Sequence, residues 1–467
     1  MPVVDGSAPV ICPIASLPVA RITSTPMLRL PSTRMPCAVP GPGTLRPGIG
    51  VPGIDMRGIV GLDRPALDRL ASDTPFHGRL ALRAVHAFHW TARPGVVACV
   101  PARDEAERLP ASLDALRASL GRVDEPVAIV VLVNNSTDGS VPRVRDWAAR
   151  TDAPVLIVET ELDDEIADAG HARRLALDLG ALVATPDAVL LTTDADTRVA
   201  RDWARRLVGH VRAGAGAAAG MIDVEPDEFA ALPSRVREIE RAERALFREH
   251  ARTWRLLVPE APLALALRVG GASLAVSARA YRRVGRLPPL AVSEDRAMVA
   301  AMLRHDERVV FAARAAIRTS CRLHARVADG MAGTLRERME RNDPVCDQDL
   351  HGAVRFAWLC LAWRQVCHRH AGTGSPDDAA PIARALGVDD GSLEPRPGET
   401  RGEAWERLIV AAPPAPRLRA SEVGRERAAA RSLRRVLRSV GPAAPIRAHA
   451  ASLSLCDAGH LKGAHHA

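Results

Sequence analysis

The sequence predicts an α/β fold with a mostly parallel central sheet flanked by helices. Two observations and one general rule lead to this prediction. Short apolar runs typical of buried strands recur between Val96 and Val276. The segments between these runs carry apolar residues at helical spacing. Strands that alternate with helices in this way usually form parallel pairs joined by right-handed crossovers.

The composition changes twice along the 467 residues and divides the chain into three parts. Residues 1–90 are rich in proline and glycine, so we expect a low-order N-terminal extension in which residues 1–60 are disordered. Residues 91–345 contain the alternating patterns and form the predicted α/β domain. Residues 346–467 form a predicted helical C-terminal appendage that ends in a disordered tail.

In the first half of the α/β domain, the sequence pattern predicts four strands, each followed by a helix. The strands are predicted at residues 96–100, 127–133, 155–158 and 188–193. Leu109 and Leu113 begin the helical pattern after the first strand, and Val144 and Trp147 mark the pattern after the second. An acidic stretch precedes the helix after the third strand, and the helix after the fourth is predicted at 203–211.

The remaining elements follow with longer connections. A strand that includes residues 221–224 is predicted at the edge of the sheet, and further strands are predicted at 269–276 and 309–312. A charged helix is predicted at 233–256, and Ser293 is a suitable N-cap for a helix that follows it. In the appendage, helices are predicted at 351–370, around Trp405 and at 415–438.

The composition disfavours nucleic-acid binding and a membrane span. The 63 Lys and Arg residues are mixed with 55 Asp and Glu, and aromatic residues make up only 3% of the chain. A nucleic-acid binder more often shows a basic face with stacking aromatics. No segment has the roughly 18 uninterrupted apolar residues of a membrane span, and no signal peptide is recognisable. We therefore expect a cytoplasmic protein without nucleic-acid partners.

Two further features bear on partners and cofactors. The eight cysteines include no CxxC pair, which favours reduced thiols over a disulfide framework or a zinc site. The arginine-rich helix predicted at 415–438 is compatible with a peripheral contact to acidic partners or an anionic membrane, but a solvated helix is the favoured interpretation.

Two carboxylates stand where the fourth predicted strand ends. Asp194 and Asp196 follow an apolar, β-branched run, and at a strand end both side chains can turn toward one point. Carboxylate oxygens are preferred ligands of hard divalent cations, and open α/β sheets bind ligands beyond the carboxyl ends of their strands. The pair predicts the metal and nucleotide end of an enzyme. The alternative is an aspartate that caps the next helix.

Polar segments near the other strands complete a recognisable series. No GxGxxG motif follows the first strand, which disfavours an NAD or FAD enzyme. The series consists of Pro-Ala-Arg-Asp-Glu (101–105), Asn-Asn-Ser-Thr-Asp-Gly-Ser (134–140), Arg173 and Arg174, Asp-Ala-Asp (194–196) and Ser-Glu-Asp (293–295). In this order, over roughly residues 95–330, the series resembles the family 2 glycosyltransferases, which have a GT-A, Rossmann-type fold.

The resemblance implies that a sugar is transferred from a nucleotide-diphosphate donor, with inversion and with Mg²⁺ or Mn²⁺ as cofactor. Asp194 and Asp196 would meet the ribose and the metal-bound diphosphate. The residues implied beside the base and ribose are Pro101, Arg103, Asp104, Glu105, Asn134, Asn135 and Asp138. The chain has no Gln-x-x-Arg-Trp motif, which implies a non-processive enzyme.

Arg173 and Arg174 are candidates for binding the diphosphate. The growing charge of a leaving diphosphate must be neutralised, and a guanidinium can do this as a planar fork. For either arginine, a solvated helix face that pairs with the acids at 161–168 is an equally good interpretation.

The segment 293–295 supplies the predicted general base. A carboxylate in the first turn of a helix is kept ionised by the helix dipole, and an ionised carboxylate can deprotonate an acceptor hydroxyl. Asp295 is the first candidate and Glu294 the second. A capped helix start with acids in its first turn is the alternative.

Gly270, Gly271 and His324 complete the candidate site. The two glycines permit close approach of the backbone to an acceptor, or simply form a bulge. In some related enzymes a histidine after the last strand completes the metal shell, and the resemblance implies this role for His324. A surface histidine is the alternative interpretation.

Two rival functions remain open from the sequence. A nucleotidyltransferase of the same fold would share the metal site, but it usually has a glycine-rich loop after the first strand. Pro101 to Glu105 has no glycine. A catalytically inactive module that binds a nucleotide or saccharide would differ in whether Asp194, Asp196 and Asp295 converge on one cleft.

Overall fold

The computed structural model describes residues 62–259, 270–322, 331–442 and 444–463. The predicted disorder of residues 1–60 concerns a segment outside these ranges. His324 also lies outside the described residues, so its predicted role stays a prediction.

A nine-stranded sheet forms the centre of the described chain. Its strands are β1 (Leu80–Phe88), β2 (Val96–Ala102), β3 (Val127–Asn134), β4 (Val155–Leu162), β5 (Val189–Thr192), β6 (Arg198–Val199), β7 (Ala217–Val224), β8 (Leu274–Ser277) and β9 (Val309–Thr319). Their order across the sheet is β1-β4-β3-β2-β5-β8-β7-β9-β6. Six strands run in one direction, and β1, β6 and β8 run opposite. The predicted α/β fold with a mostly parallel central sheet is confirmed.

Helices connect these strands and form the C-terminal part of the described chain. They are α1 (Arg64–Ser72), α2 (Leu109–Leu120), α3 (Ser140–Ala149), α4 (Ala169–Val183), α5 (Trp203–Arg212), α6 (Pro226–Ala231), α7 (Ser234–Leu257), α8 (Ala278–Arg283), α9 (Glu294–Arg304), α10 (Met331–Glu340), α11 (Ala353–His370), α12 (Ala379–Leu386), α13 (Arg401–Ala411), α14 (Val423–Val440) and α15 (Ile446–Gly463).

Two details of the sheet differ from the sequence prediction. Strand β7, predicted at an edge, lies inside the sheet between β8 and β9, and the edges are β1 and β6. Its first half is buried and pairs with β8 on one side and with β9 on the other. Strand β1 pairs antiparallel with β4 and therefore extends the sheet ahead of residue 91, where the sequence predicts the domain to begin.

The central strands are apolar on both faces because helices cover the sheet on both sides. In β2, Val97 and Cys99 face one hydrophobic core, while Val96 and Ala98 face the other. Helix α4 packs so closely on the first face that a Cβ at Gly180 would lie 2.4 Å from Cys99 Sγ. This packing fixes α4 and β2 relative to each other, and with them the residues that each contributes to the carboxyl edge of the sheet.

The C-terminal helices form a third hydrophobic core and pack on the α/β domain through α7. Trp254 and Leu257 of α7 are buried against Phe356 of α11, and the rings of Trp363 and Trp405 meet edge to face at 5.5 Å. Within the described ranges, no helix has the length and apolar character needed to cross a membrane. The five cysteines whose side chains are described are free thiols, and four of them are buried.

The appendage also contacts the end of α9. Thr400, the N-cap of α13, donates its hydroxyl to Arg304 O at 2.6 Å. A Cβ at Gly402 would lie only 1.9 Å from Leu303 O, so this close approach depends on the absence of a side chain. The C-terminal helices are therefore fixed directly to the helix that begins with Glu294 and Asp295.

A buried histidine lies in the contact between α7 and α11. The His250 ring stacks on Phe356 with centroids 4.0 Å apart and planes 6° from parallel. Burial lowers the pKa of His250 to about 3, and the nearby His351 adds to this effect. Because the folded state resists protonation of His250 while the unfolded chain accepts a proton near pH 6.5, acid must weaken this contact.

We expect the free energy of unfolding to fall as the pH decreases from about 6.5 toward 4, and His250→Phe to reduce that dependence. The unfolded state binds more protons than the folded state in this window, so stability rises with pH by up to about 1.4 kcal/mol per pH unit for each such histidine. Urea denaturation at pH 5, 6 and 7 measures the slope. Replacing the exposed His77 by Gln is the control, and equal slopes for wild type and His250→Phe would contradict the assignment.

Candidate active site

The carboxyl ends of β2, β3, β4 and β5 meet at one edge of the sheet, because these strands are parallel neighbours. Asp194 and Asp196 follow β5 in a turn in which Thr197 N donates to Asp194 O at 3.1 Å. Thr193 N donates to Cys99 O at 3.4 Å and ties the start of this turn to β2. Both predicted carboxylates therefore lie at the edge where sheets of this type bind ligands.

Arg173 of α4 joins this edge to the start of α9. Its Nε donates to Glu294 Oε1 at 2.9 Å, and its Nη2 donates to Asp194 Oδ1 at 2.8 Å. Its Nη1 donates to Thr192 Oγ1 at 3.0 Å and to Gly271 O at 3.1 Å. Four hydrogen bonds thus fix one guanidinium whose side chain is only 7% exposed.

The positive charge of Arg173 is stabilised by its two acidic partners. Burial by itself would lower the pKa of Arg173, but the carboxylates of Asp194 and Glu294 outweigh burial and raise that pKa above its usual value. One buried cation therefore lies between an acid of the β5 turn and an acid of α9. Sequence reasoning singled out all three residues but did not predict that they are in contact.

Arg174, the neighbouring candidate, has a different set of partners. Its Nε donates to Asp178 Oδ2 at 2.6 Å, and its Nη1 donates to Leu287 O. Tyr281 Oη donates to the other oxygen of Asp178 at 2.7 Å. The structure therefore brings Arg173, but not Arg174, together with the acids at the carboxyl edge.

Asp196 occupies a buried, acidic position. Thr319 Oγ1 donates to its Oδ1 at 3.4 Å, and Arg322 Nη2 lies 3.3 Å from its Oδ2. Burial raises the pKa of Asp196 to about 7, and the charges of Asp194 and Glu105 contribute to the rise. Burial and the two neighbouring carboxylates therefore both oppose ionisation of Asp196.

Two arginines offset part of this negative charge. Arg322 Nη2 contacts Glu105 Oε1 as well as Asp196. Arg108 Nη1 donates to Glu228 Oε1 at 2.6 Å, and the other oxygen of Glu228 accepts from Ser320 Oγ at 2.8 Å. Sequence reasoning missed Arg108 and Glu228, because these partners are 120 positions apart and no motif marks either residue.

The loops after β2 and β3 are interlocked by residues predicted to bind the nucleotide. Asp104, at a φ of 50°, accepts from Thr137 N at 2.7 Å, and its own N–H donates to Ser136 Oγ at 2.9 Å. Asp138 accepts from Ala106 N at 2.9 Å. In this structure both aspartates hold the two loops against each other, whatever they bind in addition.

The other predicted nucleotide-side residues also have protein partners. Asn134 Nδ2 donates to Asn135 Oδ1 at 3.3 Å, and the same oxygen accepts from Leu162 N at 3.0 Å. Arg103 Nη1 donates to Ala167 O at 2.8 Å. Pro101 is half-buried within β2. The asparagines thereby tie the ends of β3 and β4 together beside the candidate site.

Helix α9 begins differently from the sequence prediction. Ser293 occupies the N-cap position, but its φ of 62° places it in the left-handed region and its side chain makes no cap hydrogen bond. The predicted N-cap role is therefore wrong, because capping geometry needs an extended backbone at that residue. The left-handed turn is followed at once by Glu294, which bonds Arg173, and by Asp295, which bonds Gly271.

The two acids at the start of α9 have distinct environments. Glu294 is buried with Arg173, and burial together with the charge of Asp295 raises the pKa of Glu294 to about 7. Asp295 is partly exposed. Its Oδ2 accepts from Gly271 N at 2.7 Å, and its Oδ1 accepts from Arg296 N at 2.7 Å. Of the two acids, Asp295 is therefore the more accessible to solvent.

Gly270 and Gly271 lie where a side chain would collide with the site. A Cβ at Gly271 would be 2.6 Å from Arg173 Nε, and one at Gly270 would be 2.4 Å from Ile222 Cδ1 and 3.8 Å from Asp295 Oδ2. Gly271 is therefore needed for the Arg173 network. Gly270 is needed for the close packing of Ile222 against this segment.

The described donor set suits a divalent cation that is completed by other ligands. Among the described residues, no group of three or more His, Cys, Asp or Glu could hold a metal ion. Asp194, which is 35% exposed, and the more buried Asp196 offer carboxylate oxygens at the sheet edge. Such a pair fits Mg²⁺ or Mn²⁺, which are often held by one or two carboxylates together with substrate phosphates.

Comparison with known proteins places these residues in a family. Residues 97–268 match the family model described as glycosyl transferase family 2. This span includes the loops after β2 and β3, Arg173, and both carboxylates of the β5 turn. No curated protein matches the chain.

Solved structures give distant likenesses. The mannosyltransferase PcManGT from Pyrobaculum calidifontis, in complex with GDP-Man and Mn²⁺, is 20% identical over 80% of this chain and 89% of that chain, with a TM-score of 0.36. TarS 1-349 from S. aureus, in complex with UDP-GlcNAc, is 13% identical over 78% and 92%, with a TM-score of 0.36. Glucosyl-3-phosphoglycerate synthase from Mycobacterium tuberculosis, with Mn²⁺, UDP and phosphoglyceric acid, is 15% identical over 53% and 76%, with a TM-score of 0.33.

Because these structural likenesses are distant, the identification depends on the family match and on the site residues within it. The family resemblance stated from the sequence is confirmed by that match. The chain therefore contains a family 2 glycosyltransferase domain and is a glycosyltransferase.

Proposed function

We propose that this protein transfers a sugar from a nucleotide-diphosphate donor to a hydroxyl acceptor, with inversion, with the help of Mg²⁺ or Mn²⁺, and with Asp295 as general base. One observation carries the proposal. The acids of the β5 turn and the acids of α9, about a hundred residues apart in sequence, are joined through Arg173 and Gly271. This connection would bring a donor side and a base side into one site.

On the donor side, Asp194 and Asp196 would hold the metal ion, and the loops after β2 and β3 would enclose the nucleoside. A metal ion held there would supply positive charge against the charge that grows on the leaving diphosphate. The hydrogen bonds from Asp104 and Asp138 to backbone N–H groups across the two loops would pre-form this enclosure. Less conformational freedom is then lost when the donor binds.

On the acceptor side, Asp295 would remove the proton of the acceptor hydroxyl as its oxygen attacks the anomeric carbon. The bond to the diphosphate breaks on the opposite face of the sugar, so the anomeric configuration inverts. Two backbone N–H groups bond the Asp295 carboxylate and fix its direction, as a general base requires. The backbone at Gly270 and Gly271 would lie beside the acceptor.

We expect Asp196→Asn to weaken binding of a nucleoside diphosphate in the presence of Mn²⁺ by at least about tenfold, which is ~1.4 kcal/mol. The substitution keeps the shape of the side chain and removes the charge that a metal needs. Calorimetric titration of wild type and variant with UDP and GDP, with and without Mn²⁺, provides the measurement.

Asp202→Asn is the matched control, because Asp202 follows soon after in the chain but pairs with Arg206 in α5. Its affinity should equal that of wild type. A folded wild-type protein that binds neither nucleotide with Mn²⁺ present would rule out the proposed donor site.

We expect Asp295→Asn to lower kcat by about 10²- to 10⁴-fold, the usual contribution of a general base, while the Kd for the nucleoside diphosphate changes by less than about twofold. The assay is release of nucleoside diphosphate from a panel of UDP- and GDP-sugars, with water as the acceptor. Asp306→Asn is the control, since Asp306 lies just beyond the other end of α9 and pairs with Arg401. An unchanged kcat in Asp295→Asn would exclude this carboxylate as the base.

A further inference from the structure

We propose that Arg173 is a positioning residue that couples the donor side of the site to the general base, and that it does not bind the diphosphate. This inference rests on the proposed function, because it concerns the same site. Its starting point is that the guanidinium is committed to four protein acceptors.

The hydrogen-bonding capacity of Arg173 supports this role. A guanidinium has five N–H donors, and here Nε, both hydrogens of Nη1 and one of Nη2 are directed at Glu294, Thr192, Gly271 and Asp194. One N–H donor remains, on a side chain that is only 7% exposed. Bidentate hydrogen bonding to a phosphate needs two N–H donors that face the ligand, and Arg173 has only one left.

The partners of Arg173 explain how it acts on Asp295 without touching it. Gly271 O accepts from Arg173, and the N–H of the same residue donates to Asp295 Oδ2 at 2.7 Å. Glu294, which precedes Asp295 in the chain, is bonded to Arg173 Nε. The loop and the helix start that define the position of Asp295 are therefore both attached to one guanidinium.

The guanidinium of Arg173 also fixes the positions of residues on the donor side of the site. Nη2 bonds Asp194 Oδ1, and Nη1 bonds Thr192 at the end of β5. Arg173 thus contacts Asp194 directly and is connected to Asp295 through one intervening residue, Gly271. Glu294 is the second carboxylate that pairs with Arg173, which makes it a partner of the guanidinium and not the base.

The test compares Arg173→Lys with Arg174→Lys. Both substitutions keep a buried positive charge and remove a planar fork on the same helix, but Arg174 bonds Asp178 and Leu287 away from the site. Three quantities are measured for each: the thermal unfolding midpoint, the Kd for UDP or GDP with Mn²⁺, and kcat for nucleoside diphosphate release from the UDP- and GDP-sugar panel with water as acceptor.

For Arg173→Lys we expect kcat to fall by about 10- to 100-fold while the Kd rises by less than about threefold, which is the pattern of a lost transition-state alignment. Arg174→Lys should lower the unfolding midpoint by a similar amount and leave kcat within about twofold of wild type. Hydrogen exchange of the peptide that contains Gly271, followed by mass spectrometry, should speed up in Arg173→Lys and not in Arg174→Lys.

Several outcomes overturn the proposal. A rise in Kd that matches the fall in kcat would make Arg173 a ligand of the diphosphate. Equal losses of kcat in the two variants, or unchanged exchange at Gly271, would assign Arg173 a general structural role. If Arg173→Lys does not fold, Glu294→Gln tests the same pair, with the same expected loss of kcat at nearly constant Kd. A wild type that neither binds nor turns over any donor contradicts the proposed function itself, which none of the other outcomes does.

Discussion

A single buried cation determines the geometry of the candidate site. Removing a guanidinium from water costs on the order of several kcal/mol unless its charge and its donors are matched. Arg173 meets this requirement with two carboxylates, one hydroxyl and one carbonyl. The groups that satisfy it come from β5 and its turn, from the segment before β8, and from α9. Three separate parts of the chain are thereby held at fixed distances from one another.

The backbone around the site follows from this constraint. No side chain can replace the hydrogen of Gly271, because a Cβ there would lie 2.6 Å from Arg173 Nε. Ser293 adopts a left-handed conformation, which costs a non-glycine residue about 1 kcal/mol, and Glu294 then reaches the guanidinium in the first turn of α9. The sequence at these positions is explained by where Arg173 lies and not by local helix or strand preference.

Local patterns in the sequence were sufficient for much of the fold, and they failed where distant segments meet. The apolar runs that form β2, β3 and β5 and the periodic apolar residues of α3, α4 and α5 depend only on neighbours in the chain. The segments 194–196 and 293–295 were recognised as motifs. Arg173 could not be recognised as the partner that they share, because its contact with Glu294 joins residues 121 positions apart. The interior position of β7 likewise depends on β9, which follows long after it in the chain. Ser293 also departs from its local preference, because it adopts a left-handed conformation and makes no cap hydrogen bond.

The C-terminal appendage also holds helix α9 in place, although it lies outside the family match. Helix α9 carries Asp295 at its start and is fixed there by Arg173 and Gly271. At its other end, Thr400 bonds Arg304 O, and Gly402 lies against Leu303. Near its start, Arg296 pairs with Asp347 at 3.3 Å, in the segment that leads into α11. A helix held at both ends cannot shift along its axis or rotate about it without breaking these contacts. The direction of the Asp295 carboxylate is therefore set by the appendage as well as by the sheet.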